Sequence, residues 1–161
     1  MGYSLRVLIH TLRELYYHEP MFGPLGFWTE LQLYQMNVLL KMGLQLYHTL
    51  LDIECGPHQS CIAFIKYLQK DKYTGIDIQA DRIEAAYRQV ARHGLSDKNS
   101  LIIMSKTFGR EELKSRTFDF IWPLRSSITS IMHVWDLFNC IAVRLNSGGL
   151  FLGDIVGPEN S

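Results

Sequence analysis

The chain has 161 residues, 47% of them hydrophobic and 20% charged, and its 16 basic residues balance 16 acidic ones. This length and composition are typical of a packed globular domain and exclude a disordered chain or a coiled coil. We expect neither nucleic acid nor a membrane as a partner, because the balanced charge gives no attracting field and no apolar run reaches the ~20 residues of a membrane span.

Residues 1–47 have a helical pattern throughout. A short helix is predicted over residues 5–17 and ends in "EPMFGPLG", where prolines and glycines stop it. A longer helix is predicted over residues 27–47, because apolar residues recur there every three or four positions and share one face. These residues are Leu31, Tyr34, Val38, Met42 and Leu46. We expect residues 1–47 to form a lid or cap.

Residues 48–161 alternate short apolar runs with helical periodicity. Strands are predicted at "TLLDI", "YTGIDI", "SLIIMS", "TFDFIW" and "GGLFLGDIV". Helices are predicted over residues 61–69, 81–93 and 131–145, with a weak one over 111–114. Such alternation predicts a Rossmann-like three-layer α/β sandwich with a mostly parallel sheet of about five strands, in which ligands bind at the carboxyl ends of the strands.

Three sequence features lie at strand ends. "DIECGPH" ends the first strand, Asp77 ends the second in "GIDI", and "LNSGGLFLGDI" leads into the fifth. A carboxylate one βα unit after a glycine loop is placed to accept hydrogen bonds from both hydroxyls of a ribose. Asp77 is therefore predicted to bind a nucleoside, and the alternative is that it caps the following helix.

Taken in this order, the three features resemble the class I S-adenosylmethionine-dependent methyltransferases, over about residues 50–155. The resemblance implies S-adenosylmethionine as cofactor. It implies cofactor contacts from Asp52, Glu54, Cys55, Gly56, Asp77, Ile78, Ser105 and Thr107.

The loop after the first strand differs from the family pattern of an acidic residue followed by three alternate glycines. Asp52 matches the acidic position and Gly56 the middle glycine, while Glu54 and His58 replace the outer two. Glu54 adds bulk where a Cβ is poorly tolerated and charge near the cofactor's own carboxylate. The alternative is that this carboxylate favours the cofactor's sulfonium and amino groups.

The later strands also differ from the family. After the third strand, the hydroxyls of Ser105 or Thr107 stand where the family commonly has an acidic or amide side chain for the adenine amino group. Met104 and Phe108 are candidate apolar walls for a purine. Asp119, early in the fourth strand, is interpreted as satisfying backbone groups rather than taking part in chemistry.

A small-molecule acceptor is expected, and it requires a base only if it loses a proton. His133 stands where some small-molecule methyltransferases keep a histidine, so it is the candidate base; the alternative is a helix-face histidine without function. Four residues of the N-terminal segment are candidates for an aromatic lid over the sulfonium: Tyr17, His18, Phe22 and Trp28.

Other interpretations stay open at this point. Cys55, His58 and Cys61 are spaced like zinc ligands, with His48 upstream, but a fourth ligand is missing or distant, so we expect no metal. A degenerate, non-catalytic methyltransferase-like domain is the main alternative function. An NAD or nucleotide-sugar enzyme is the third, disfavoured because its loop would need the glycines more.

The sequence ends six residues after Ile155, so the fifth strand is expected to be an apolar sheet edge. This predicts either a homo-oligomer formed through that edge or a truncated member of the family. Three cysteines and no signal-peptide pattern predict reduced thiols in a cytoplasmic protein.

Overall fold

The computed structural model describes residues 27–57, 59–107, 111–123 and 134–153. The predicted helix over residues 5–17 lies outside them. In chain order the elements are α1 (Phe27–Lys41), β1 (Leu50–Ile53), α2 (Gln59–Tyr67), β2 (Tyr73–Asp77), α3 (Ala80–Arg92), β3 (Leu101–Met104), β4 (Phe118–Pro123), α4 (Val134–Ala142) and β5 (Leu145–Phe151). No helix in this part of the chain is long and apolar enough to cross a membrane.

The strands form one sheet in the order β3-β2-β1-β4-β5, and every neighbouring pair is parallel. The predicted five-stranded parallel sheet is therefore confirmed. The chain leaves β1 toward β2 and β3 on one side and returns to β4 and β5 on the other. The carboxyl end of β1 is thus a topological switch point, the place where open α/β sheets bind their ligands.

The sheet buries an apolar cluster on each face, because successive side chains of a strand point to opposite faces. Leu50 of β1 belongs to the cluster that α1, α2 and α3 cover. Leu51, the next residue, belongs to the cluster that includes Ile141 of α4. Helices therefore cover both faces, as the three-layer prediction requires.

Helix α1 ends earlier than predicted. Gly43 has a φ of +95°, and the amides of Gly43 and Leu44 donate back to the carbonyls of Leu40 and Leu39 at 3.0 and 2.9 Å. This is a Schellman cap, in which a left-handed glycine ends a helix. Leu39 and Leu44 are both fully buried beside it, so the cap also closes a hydrophobic contact.

The predicted apolar face of α1 packs only in part, through Val38. Tyr34 is 64% exposed and Met42 is 45% exposed, whereas Gln35 and Leu39 are buried. Leu39 shares its core cluster with residues of α2, so the helix is rotated about its axis relative to the prediction. Leu33 and Leu40 are exposed as well, so this helix carries apolar residues on more than one face.

Two predicted elements differ between β3 and β5. Residues 111–115 form turns rather than the weak helix predicted there, and Lys114 takes a left-handed φ of 48°. Strand β5 starts at Leu145 and not at Gly148. The register between β4 and β5 shifts near Gly148, whose φ is +79°, as in a β-bulge with glycine in the left-handed conformation.

Asp119 joins three segments at the amino-terminal edge of the sheet. Its Oδ2 accepts hydrogen bonds from the amide and the hydroxyl of Thr49 at 2.8 and 2.9 Å. Its Oδ1 accepts one from the Asn146 amide group at 2.7 Å. The interpretation that Asp119 satisfies backbone groups is therefore confirmed, and this carboxylate lies at the edge opposite the candidate site.

Tyr87 of α3 binds the outer strand β3. Its hydroxyl donates to the Ile102 carbonyl at 2.9 Å and accepts from the Ile102 amide at 3.1 Å. Both bonds use the backbone groups of Ile102, and they fix the orientation of the phenol ring. Strand β5 is the outer strand on the other side of the described sheet, and oligomerisation through it stays a prediction.

Candidate functional site

The loop after β1 is held against the end of β2. The Cys55 amide donates to the Ile76 carbonyl at 3.0 Å, and the Gly56 amide donates to Asp77 Oδ2 at 3.1 Å. Because β1 and β2 are parallel and in register from Leu50 to Ile53, their carboxyl ends meet at one edge. The structure therefore brings together the candidate residues of the loop and Asp77.

Asp77 is buried at the end of β2, with 2% of its surface exposed. Its Oδ1 accepts the Gln79 amide at 3.0 Å, and its Oδ2 lies 3.8 Å from Arg82 Nη1. Gln79 is the N-cap residue of α3, so Asp77 orders the approach to that helix, close to the alternative role predicted for it. Each carboxylate oxygen has two acceptor positions, so capacity remains for hydroxyl donors. Ile78, half-buried, follows directly.

Glu54 has a left-handed backbone conformation of the kind that glycine favours. Its φ is 61° and that of Gly56 is 45°, both in the left-handed region that glycine adopts without strain. For a residue with a Cβ this conformation costs roughly 1 to 2 kcal/mol. Glu54 thus takes a strained left-handed conformation in this loop, and its side chain is half-buried.

Two carboxyl groups of the site titrate near neutral pH. Burial raises the pKa of Glu54 to about 7; the charge of Asp77 adds to this shift and Arg82 opposes it. Burial also raises the pKa of Asp52 to about 7, opposed by a hydrogen bond from Tyr73 and supported by the charge of Asp77. The charge of the loop therefore changes between weakly acidic and weakly basic conditions.

Tyr73 reaches Asp52 by lying across Gly75. The Tyr73 hydroxyl donates to Asp52 Oδ2 at 2.7 Å. A Cβ at position 75 would meet Cys55 Sγ at 2.7 Å and the Tyr73 hydroxyl at 3.1 Å. Glycine is therefore required at position 75 for the loop cysteine and the phenol to pack over β2.

Gly75→Ala is expected to lower the free energy of unfolding by about 1 to 3 kcal/mol, because the added methyl group overpacks a closed site. Urea denaturation of the variant and the parent chain measures this loss. In the matched background Cys55→Ala the 2.7 Å contact with the sulfur is gone, while the contacts with the residue 55 Cβ at 3.0 Å and the Tyr73 hydroxyl at 3.1 Å remain, so the same substitution should cost less. Equal costs in both backgrounds would contradict the contact with Cys55.

The two cysteines near the loop are buried, neutral thiols. Burial raises the pKa of both the Cys55 and the Cys61 thiol, and the charge of Asp52 adds to each shift. Among the described residues, no group of three or more His, Cys, Asp or Glu side chains is arranged to hold a metal ion. His58, a member of the alternative zinc set, lies outside those residues.

Ser105 lies at the end of β3 and is already hydrogen-bonded. Its amide donates to the Asp77 carbonyl at 2.9 Å, its hydroxyl donates to Glu112 Oε2 at 2.9 Å, and it accepts the Thr107 amide at 3.2 Å. Thr107 is exposed. Met104, a predicted apolar wall, is 46% exposed. The structure therefore adds the carboxylate of Glu112 to this end of the sheet.

Sequence reasoning missed three members of this edge. Glu112 lies in a segment that was predicted to be a helix, and nothing in its sequence pattern indicates a contact with the end of β3. Arg82 lies in the first turn of α3, five residues after Asp77. This closeness in sequence was the only local indication that the two side chains meet. Tyr73, at the start of β2, looks like an ordinary strand aromatic until the absence of a side chain at Gly75 is considered.

His133 and Phe108 lie outside the described residues, as do Tyr17, His18 and Phe22. The side chain of Trp28 is also outside the described set. The catalytic base and the aromatic lid therefore stay predictions.

Solved structures share the fold of this chain, whereas no family model and no curated protein matches its sequence. An S-adenosylmethionine-dependent methyltransferase from Clostridium acetobutylicum superposes with a TM-score of 0.65 at 17% identity, over 95% of this chain and 58% of that one. A coclaurine N-methyltransferase bound to N-methylheliamine and S-adenosylhomocysteine gives 0.63 at 16% identity, over 76% of this chain and 35% of that one.

A third structure is a methyltransferase from Thiobacillus denitrificans in complex with S-adenosylhomocysteine. Its TM-score is 0.58 at 20% identity, over 76% of this chain and 46% of that one. The present chain thus spans between about a third and three-fifths of the length of these proteins. The strand order and these superpositions agree: the chain has the class I fold of the S-adenosylmethionine-dependent methyltransferases.

Proposed function

We propose that the chain binds S-adenosylmethionine at the carboxyl edge of β1 and β2 and transfers its methyl group to a small-molecule acceptor. One observation carries the proposal. Asp77 is buried at the end of β2 and accepts the Gly56 amide, in a loop where Glu54 and Gly56 both keep left-handed backbone angles. A loop with glycine-type geometry tied to a strand-end carboxylate is the arrangement that receives a nucleoside.

In this proposal, different described residues contact different parts of the cofactor. Asp77 accepts the ribose hydroxyls, and the backbone of residues 54–56 faces the methionine part. Ser105 and Glu112 lie at the end of β3, where a carboxylate is suited to accept a hydrogen bond from the amino group of a purine. Asp52 and Tyr73 form the buried support below the loop.

The reaction proposed is nucleophilic substitution at the methyl carbon. The bound cofactor supplies an electrophilic methyl group on a sulfonium: a bond forms between it and an acceptor lone pair, and the carbon–sulfur bond breaks with its electrons going to sulfur. The protein's part is to position the two reactants and to exclude water. A base is needed only for an acceptor that must lose a proton, and His133 is the candidate.

Two observations support a small acceptor. One protein of the same fold, the coclaurine N-methyltransferase, is bound to a small amine, N-methylheliamine. The present chain has no excess of positive charge, so it lacks a global field that would attract nucleic acids.

Calorimetric titration with S-adenosylmethionine and S-adenosylhomocysteine tests the cofactor proposal. We expect micromolar binding that Asp77→Ala weakens by about 100-fold, since hydrogen bonds to a buried charged group are worth roughly 1.5 to 3 kcal/mol each. Asp97→Ala, at an exposed aspartate of the turn before β3, is the matched control and should bind normally. No binding at millimolar cofactor by the folded chain would overturn the proposal.

A second candidate function is a non-catalytic methyltransferase-like domain that acts as a binding or assembly module. The contact between Arg82 and Asp77 Oδ2 favours it, because a cation at this carboxylate competes with hydroxyl donors. The same titration separates the two candidates: absence of cofactor binding by the folded chain would favour the second.

A further inference from the structure

A cavity of about 410 Å³ lies at the opposite edge of the sheet from the candidate site. Asp71, just before β2, and Leu101, the first residue of β3, line it together with Tyr87 and Val90 of α3. Strand β2 separates this edge from Asp77, a distance of about 13 Å at 3.3 Å per residue. The volume is in the range of pockets that hold small organic ligands.

The wall of the cavity on the side of α3 is apolar and rigid. Tyr87 is 45% exposed, yet its ring is held by the two hydrogen bonds of its hydroxyl to Ile102. Val90 and Leu101 continue the apolar surface beside it. A fixed aromatic ring next to aliphatic side chains favours a flat apolar body, because stacking then costs little conformational entropy.

The rim of the cavity carries two opposite charges, the Asp71 carboxylate and the Arg116 guanidinium. The Asp71 carboxylate accepts a hydrogen bond from Asn99. Arg116 also lines the cavity, and its guanidinium makes no hydrogen bond or ion pair with the part of the chain that the structure describes. A free guanidinium presents paired donors that match a carboxylate.

We propose that this cavity binds a small planar organic carboxylate, with its ring against Tyr87 and its carboxylate on Arg116. The half-buried Ser100 also lines the cavity and supplies a hydroxyl for a further hydrogen bond. The cavity lies at the other end of β2 from Asp77, so the proposal does not rest on the function proposed above, and the two sites share only Tyr73, which lines the cavity and donates to Asp52. A ligand in this cavity would contact both the turn before β3 and the segment before β4.

The test uses the full chain and 2-naphthoate as the probe, titrated by calorimetry. We expect Arg116→Gln to weaken binding at least about tenfold, and the neutral analogue 2-naphthalenemethanol to bind the parent chain weaker by a similar factor. Arg88→Gln, at an exposed arginine of α3 that pairs with Glu84 and lies outside the cavity, is the matched control. Asp77→Ala should leave naphthoate binding unchanged.

Three results would overturn this proposal. They are no naphthoate binding at millimolar concentration, equal affinity of the parent chain and Arg116→Gln, and loss of binding in Asp77→Ala. The last would place the probe at the cofactor edge instead. Because Arg116 is exposed, its substitution should not unfold the chain, and the unfolding midpoint of each variant checks this.

Discussion

Replacing Glu54 with glycine is expected to raise the affinity for S-adenosylhomocysteine about tenfold and to stabilise the fold by about 1 kcal/mol. The backbone of residue 54 is already left-handed, so glycine removes strain without moving the loop. It also removes a side chain from the surface that the cofactor's backbone contacts require. Calorimetry and urea denaturation measure the two effects.

Glu54→Gly should also change the preference of the chain for S-adenosylmethionine over S-adenosylhomocysteine, because it removes a charge. S-adenosylmethionine carries a positive sulfur and S-adenosylhomocysteine does not, so an ionised Glu54 favours the former. With a pKa of about 7 for Glu54, the parent chain's preference should grow as the pH rises from 6 to 8. In Glu54→Gly this pH dependence should weaken, leaving the contribution of Asp52.

The raised pKa also fixes the sign of the stability change with pH. A carboxyl group whose pKa is raised by folding destabilises the fold progressively as the pH rises from its ordinary value of 4.5 to about 7. The gain from glycine should therefore be larger at pH 8 than at pH 5. A larger gain in stability at pH 5 than at pH 8 would show instead that folding stabilises the anionic form of Glu54.

Glu54→Gln is the matched control for this position. It keeps nearly the same volume and the strained backbone but carries no charge. It should weaken the pH dependence as glycine does and leave the affinity for S-adenosylhomocysteine low. If glycine and glutamine raise that affinity equally, the charge of Glu54 and not its bulk hinders binding.

Asp119→Ala is expected to lower the free energy of unfolding by about 3 kcal/mol at neutral pH, because three hydrogen bonds to a carboxylate are lost. Burial alone would raise the pKa of Asp119, but the bonds from Thr49 and Asn146 outweigh it and hold the pKa below its ordinary value of 3.8. The stabilisation is therefore complete above about pH 4 and is lost as the pH falls through the lower pKa of the folded state.

Urea denaturation between pH 7 and pH 2 tests this prediction. The parent chain should lose stability on acidification more steeply than Asp119→Ala does. Asp97→Ala, which removes an exposed carboxylate, should keep the slope of the parent chain. Parallel curves for the parent chain and Asp119→Ala would mean that Asp119 is not held ionised by these contacts.

The sheet was predictable from sequence because its strands are short, continuous apolar runs, as expected for strands buried on both faces. The orientation of α1 was not. Its apolar residues lie on more than one side, so periodicity does not determine which side contacts α2. The core instead takes Leu39 and the amide side chain of Gln35, while the more apolar Tyr34 faces solvent.

The candidate site was predictable where chemistry and position coincide in the chain, as for Asp77 and the loop before α2. It was not predictable where tertiary structure supplies the partner. Glu112 reaches Ser105 only because the turns over residues 111–115 return toward β3. The left-handed angle at Glu54 follows from the path of the loop, which the residue type alone would have argued against.

The bonds between Tyr87 and Ile102 have a consequence for how the protein behaves in a crowded solution. An extended segment of another molecule adds to a sheet by using the free backbone groups of its outer strand. On β3, the phenol of the molecule's own helix already occupies those groups at Ile102. A strand of another molecule must first displace that phenol before it can pair with β3. Tyr87 therefore hinders intermolecular strand addition on this side of the sheet.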